Sequence, residues 1–222
     1  MTFTAVGSAI FDAVGTVSIT PHTIGNLILF EVTNKTNATV FATAISSSSV
    51  TWVQVGTHFG GASNAWTSTL FAGKATATSA GAITITWSGT TPGTIRNAGQ
   101  EFSSTVGSWA LDVQGHLDGA GTNTSPSLTP AAAGELYFCW LQDSGSAVAG
   151  STTGYTYDIS PQSNGMAFNP NCTSAAQAPV WGDSTLAFGI AALMKETATV
   201  SPAPPSRLRG QAVNRMGGLI YA

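Results

Sequence analysis

The chain has 222 residues, 8% of them charged and 43% apolar, with six Trp and two Cys. An average globular protein is roughly 25% charged, so this surface is built of hydroxyls and small side chains. The apolar share and the Trp content exclude a disordered chain, and the length allows a core that needs no disulfide or metal staple. So little charge suits a component of an assembly better than a freely diffusing enzyme, which keeps charge for solubility.

The charge is uneven. Up to Glu196 there are ten acids against four bases (Lys35, Lys74, Arg96, Lys195), whereas the last 26 residues hold Arg207, Arg209 and Arg215 and no acid. An acidic body argues against nucleic acid as a partner, because phosphate neutralisation needs clustered bases. No stretch approaches the about 18 apolar residues of a membrane span, and the first residues have neither a basic n-region nor an apolar h-region. A protein made in the cytoplasm and not inserted into a membrane is the expectation.

Alternating and β-branched runs separated by Gly, Pro, Ser and Asn clusters predict strands near Thr2–Val6, Val14–Thr20, Asn26–Thr33, Thr39–Ser46, Val50–Val55 and Ala65–Thr76. Further strands are expected near Ala82–Ser88, Arg96–Ser103, Trp109–Leu117, Glu135–Gln142, Tyr155–Ile159 and Thr185–Met194. The helix-tempting Ala187–Glu196 reads better as a last buried strand. So many short strands without a convincing helix predict an all-β fold, an antiparallel β-sandwich that is jelly-roll-like, over residues 1–196. Thr20-Pro-His-Thr-Ile-Gly-Asn-Leu27 and Thr129-Pro-Ala-Ala-Ala-Gly-Glu-Leu136 share Thr-Pro-x-x-x-Gly-x-Leu. Related halves or a turn reached twice would each explain this, and the abundance of Thr, Gly and Pro favours the second.

Residues 197–222 differ in composition. Ser-Pro-Ala-Pro-Pro-Ser (201–206) is a stiff spacer, followed by the three Arg and the apolar Leu219-Ile220-Tyr221. An extended C-terminal arm docked on a neighbouring subunit is expected, against the alternatives of a free tail or a segment folded back on its own domain.

No nucleophile elbow, metal-binding helix, P-loop or dinucleotide turn is present, so no catalytic residue, metal or cofactor is assigned. The best polar constellation is Asp112, Gln114, His116 and Asp118, which strict alternation puts on one face with Leu111, Val113 and Leu117 on the other. A solvated strand face carries such rows routinely, and that reading is preferred to a ligand row for a metal or sugar. Glu101 with Asp112 or Asp118 is the one carboxylate pair worth weighing for glycoside hydrolysis. His22, His58 and His116 lack ligand spacing. The six Trp read as core residues, with Trp66 and Trp181, beside turns, the candidates for exposed sugar-stacking surfaces. Cys139 and Cys172 are expected to be free thiols.

Gly-x-Leu-aliphatic strands after Thr-Pro turns, the run Ala-Ile-Thr-Ile-Thr-Trp-Ser-Gly (82–89) and the closing Trp181-Gly-Asp…Ala187-Phe188 strand resemble the β-sandwich modules of minor tail proteins from phages of actinobacteria. The likeness covers roughly residues 1–196 and implies a non-enzymatic virion protein, tail-associated or surface-displayed, whose partners are other virion proteins and copies of itself. Host cell-wall glycan is a further candidate partner. Capsid decoration and a lectin-like adhesin are the alternative readings.

Overall fold

The computed structural model describes residues 2–12, 17–61, 66–104, 106–143, 145–162, 164–182 and 186–197. The arm residues Arg207, Arg209, Arg215, Leu219, Ile220 and Tyr221 lie outside them. The first half of the chain forms β1 (Thr4–Asp12), β2 (Ser18–Ile19), β3 (Leu27–Asn34), β4 (Ala42–Ser46), β5 (Val50–Gly61), β6 (Trp66–Ala75), β7 (Gly81–Ala82), β8 (Thr84–Trp87) and β9 (Ile95–Ser103). The second half forms β10 (Trp109–Thr122), β11 (Leu136–Asp143), β12 (Thr156–Ile159), β13 (Gly165–Asn169) and β14 (Leu186–Glu196).

Two five-stranded antiparallel sheets pack face to face, so the all-β antiparallel sandwich is what the chain forms. Their orders are β1-β9-β3-β6-β5 and β10-β14-β11-β13-β12. Between them lies one apolar layer, in which Leu27, Leu29, Leu70 and Phe102 of the first sheet meet Phe138, Trp140, Phe168 and Ile190 of the second. Alternation supplies it: the odd residues of β3 point into the layer and Ile28, Phe30 and Val32 point outward. Both faces of β3 and β11 are covered, which is why their sequences read as continuous apolar runs rather than as alternation. The small sheets β2·β7 and β4·β8 lie over the outer face of the first sheet. Leu128, Cys172 and Trp181 cover that of the second.

Numbered by appearance within their own halves, both sheets read first, fifth, second, fourth, third. Turn chemistry by itself does not generate a shared strand order, so the preference for a turn reached twice is corrected: the halves are structural repeats. The matching turns confirm the correspondence. Gly25 N donates to Ala75 O (2.9 Å) and Gly134 N to Cys172 O (2.8 Å), while Ala75 N and Cys172 N donate back to Asn26 O and Glu135 O. Gly25 and Gly134 have φ of 94° and 90°, left-handed values that strain any residue with a Cβ. Even the β2·β7 pair has a remnant, because Ile19 pairs Gly81 just before the first Thr-Pro and Leu128 pairs Gln177 just before the second. The sheets stack with their orders reversed: β5 lies against β10 and β6 against β14, while Phe102 of β9 meets Phe168 of β13 edge-on at 5.3 Å.

Several strand expectations change, with β1 and β5 running on to Asp12 and Gly61, past the expected Val6 and Val55. Ala82–Ser88 breaks at buried Ile83 into β7 and β8, which join different small sheets. The strand near Val14–Thr20 shrinks to Ser18–Ile19, with residues 13–16 outside the described set. The strand β13 was not expected, since Gly-Met-Ala-Phe-Asn contains no β-branched residue and no alternation. It is held by pairing with β11 and β12 on its two sides.

Candidate functional site

The polar row on β10 is split by the strand itself. Leu111 pairs with Met194 and Val113 with Leu193, so Asp112 is one residue too many, a β-bulge. Beyond it Gln114, His116 and Asp118 stand opposite Ala192, Ile190 and Phe188, which belong to the inter-sheet layer. The expectation of a solvated face shared by all four residues is therefore corrected. Three of them face the first sheet at the rim of the sandwich, and Asp112 turns to the outer face.

Gln114 bridges the two sheets. Its Oε1 accepts from Thr57 N (3.0 Å), and its Nε2 donates to Val55 O (3.3 Å) and Thr57 O (3.1 Å). The amide thus substitutes for a neighbouring strand at the free edge of β5. Gly56 makes this approach possible, because a Cβ there would stand 2.1 Å from Gln114 Oε1. His116 stacks on Phe59 with ring centres 4.2 Å apart, and Asp118 sits beside Gly61. Gln114→Ala is expected to lower stability by about 1 kcal/mol, the usual net value of such bonds, read as a shift in the urea midpoint. An unmoved midpoint would mean that the bridge contributes nothing.

Asp112 clamps a turn. Its Oδ1 accepts from Lys195 Nζ (2.7 Å) and its Oδ2 from Ala131 N (3.0 Å), while Glu135 Oε1 accepts from Ala132 N (3.1 Å). The Lys195 hydrogen bond holds the Asp112 carboxyl below its ordinary range, and burial raises that of Glu135. In the first half one carboxylate does the same work. Glu101 accepts from His22 N (2.9 Å), Thr23 N (3.3 Å) and Asn26 Nδ2 (2.6 Å), and from the His22 ring at 2.9 Å. Both Thr-Pro turns therefore have the same two amides capped by acids from different positions.

These placements dissolve the carboxylate pair considered for glycoside hydrolysis. Glu101 stands opposite Ile28 on the outer face of the first sheet, Asp112 is on the outer face of the second, and Asp118 points between the sheets. Among the described residues no group of three or more His, Cys, Asp or Glu could hold a metal ion. His58 stacks on Phe41. Cys139 and Cys172 are free and buried, and burial pushes their thiols up to about 11 and about 12, which leaves them unreactive.

Trp181 is 1% exposed and hydrogen-bonds Ser125 Oγ through Nε1 at 2.8 Å, so the expectation of an exposed indole is corrected. Trp66 is half-buried, edge-on to Phe188 and under the Lys35 ammonium at 5.0 Å. Among the described residues Trp52, Trp87 and Trp109 are half-buried like Trp66, and Trp140 is buried like Trp181.

Sequence reasoning missed Glu31. It is fully buried and, standing opposite Leu70 and Ala98, faces the inter-sheet layer. Thr33 and Ser68 hydroxyls donate to its Oε1, and Oε2 has no partner among the described residues. Burial pushes its pKa up to about 8. The signal was there, an acid inside the apolar run Leu27–Val32. Its counterpart four residues into β11 is Trp140.

On the Trp109 side of Gln114 the edge strands β5 and β10 part, leaving an open cleft of about 400 Å³ walled by Val53, Val55, Ala72, Trp109, Leu111 and Met194. Val53 pairs with Ala72, a member of the inter-sheet core, so it points inward and yet is 63% exposed. At the rim Lys74 Nζ donates to Gly107 O (3.0 Å). Ser108, also at the rim, holds Thr197: Thr197 N donates to Ser108 O (3.0 Å) and Ser108 Oγ to Thr197 O (2.7 Å).

No family model matches the chain, and no curated protein or solved structure matches it either.

Proposed function

We propose that this chain is a non-enzymatic structural protein of a phage virion, tail-associated as the resemblance implies or displayed on the particle surface, that joins the particle through its C-terminal arm. One observation carries the reading. The polar and aromatic groups that could have formed a reactive site hold the sandwich together instead, and the open cleft lies where the arm begins. Asp112, Glu101 and Gln114 secure turns and edges, and Trp181 is core. A low-charge acidic body and a basic arm suit docking among protein subunits, other virion proteins and copies of itself included.

Deleting residues 201–222 is expected to leave a folded sandwich with unchanged far-ultraviolet circular dichroism that no longer appears in purified particles by immunoblot. Incorporation at the level of the full chain would sink the reading. Immunogold labelling of particles would separate a tail position from a capsid one.

A further inference from the structure

We propose that the apolar end of the arm, Leu219-Ile220-Tyr221, occupies the cleft between β5 and β10 of its own chain in the free subunit. The inference rests on the reading of the arm as the assembling element and adds where that element is kept before assembly. The cleft has the chemistry of an interior that lacks its filler: Val53 points toward the core side of the first sheet but is 63% exposed, over a floor of Val55, Leu111 and Met194. Trp109 lines it too, and its buried Nε1 has no acceptor among the described residues.

The arm starts at the mouth of this cleft, where Thr197 is tied to Ser108. A tether of some twenty residues spans roughly 25 Å on average if flexible, enough to double back after the Pro-led spacer. Such a tether keeps its end at an effective concentration on the order of millimolar, so the cleft of the same chain is filled before that of a neighbour. Docking in a particle then requires release of the segment, and the vacated cleft becomes a second docking surface.

Disulfide trapping in the full chain tests this, since the native thiols are buried and do not compete. Thr51→Cys at the cleft combined with Leu219→Cys is expected to close an intramolecular bridge under mild oxidation. It should form at least tenfold faster than the bridge between Leu219→Cys and Ser127→Cys, an exposed site on the outer side of the second sheet. Adding Val53→Asp, which alters an exposed side chain and spares the core, should abolish the difference. Equal rates for the two pairs, a rate that ignores Val53→Asp, or a product that is mostly an intermolecular dimer would each overturn the proposal. Loss of the trapping result with the arm still required for particle entry would refute the storage site alone. Trapping in a chain whose arm is dispensable for particle entry would refute the assembly reading instead.

Discussion

Glu31→Gln is expected to raise the stability of this protein at alkaline pH and to lower it by about 1–3 kcal/mol in acid. Glu31 is buried, and its pKa stands at about 8 against an ordinary 4.5. Below pH 4.5 the carboxyl is protonated in both folded and unfolded chains and costs nothing. From there to about pH 8 the unfolded chain releases the proton while the folded one keeps it, so stability falls by about 1.4 kcal/mol per pH unit. Above pH 8 the loss levels off, on the order of 5 kcal/mol in all. A Gln at this position still accepts from Thr33 and Ser68 but buries an amide nitrogen without a partner, which costs about 1–3 kcal/mol. The net gain at pH 9 should therefore be about 2–4 kcal/mol. Urea unfolding at pH 5 and pH 9 measures it, and a mutational difference that does not change with pH would show that Glu31 does not titrate in the sandwich.

Trp181→Ala should be the most damaging of the Trp substitutions outside the inter-sheet layer. The indole is buried against Tyr157, edge-on at 4.9 Å, and lies over Gly165, where a Cβ would come within 2.4 Å of its ring. It also ties the segment before β14 to Ser125. Removing a buried aromatic of this size costs about 3–5 kcal/mol, and the Ser125 hydroxyl would lose its Trp181 donor while keeping Cys139 Sγ at 3.4 Å. Trp66→Ala, at a half-buried site, should cost less. Thermal unfolding of the two variants side by side decides the matter: a Trp181→Ala transition within a degree or two of the parent would mean that the indole is not part of the core.

The strands were legible where each side chain's period matched its surroundings. Asn26–Thr33 and Glu135–Gln142 read correctly as continuous apolar runs because both of their faces are covered. The strand β13 did not, since Phe168 is its one residue with a β preference and pairing with neighbours on both sides makes it a strand. The candidate site was legible as residue types but not as a surface. Reading β10 with strict alternation put Asp112 beside Gln114, and one bulged residue reversed it. A bulge leaves little trace in composition, because the extra residue is accommodated by a bend of the bulged backbone and not by its own side chain.

The sequence by itself determined that the chain is a sandwich, that its body is acidic and its arm basic, and that the same turn opens both central strands. These follow from local periodicity and from residue identity, which act over a few neighbouring positions. Only the tertiary structure decided that the two halves repeat one strand order, that Trp181 is core, that an acid stands in the inter-sheet layer, and that β5 and β10 separate where the arm begins. Each of these depends on which strands become neighbours and how deep a side chain lies between layers. Pairings across many tens of residues set both, and no local pattern encodes them.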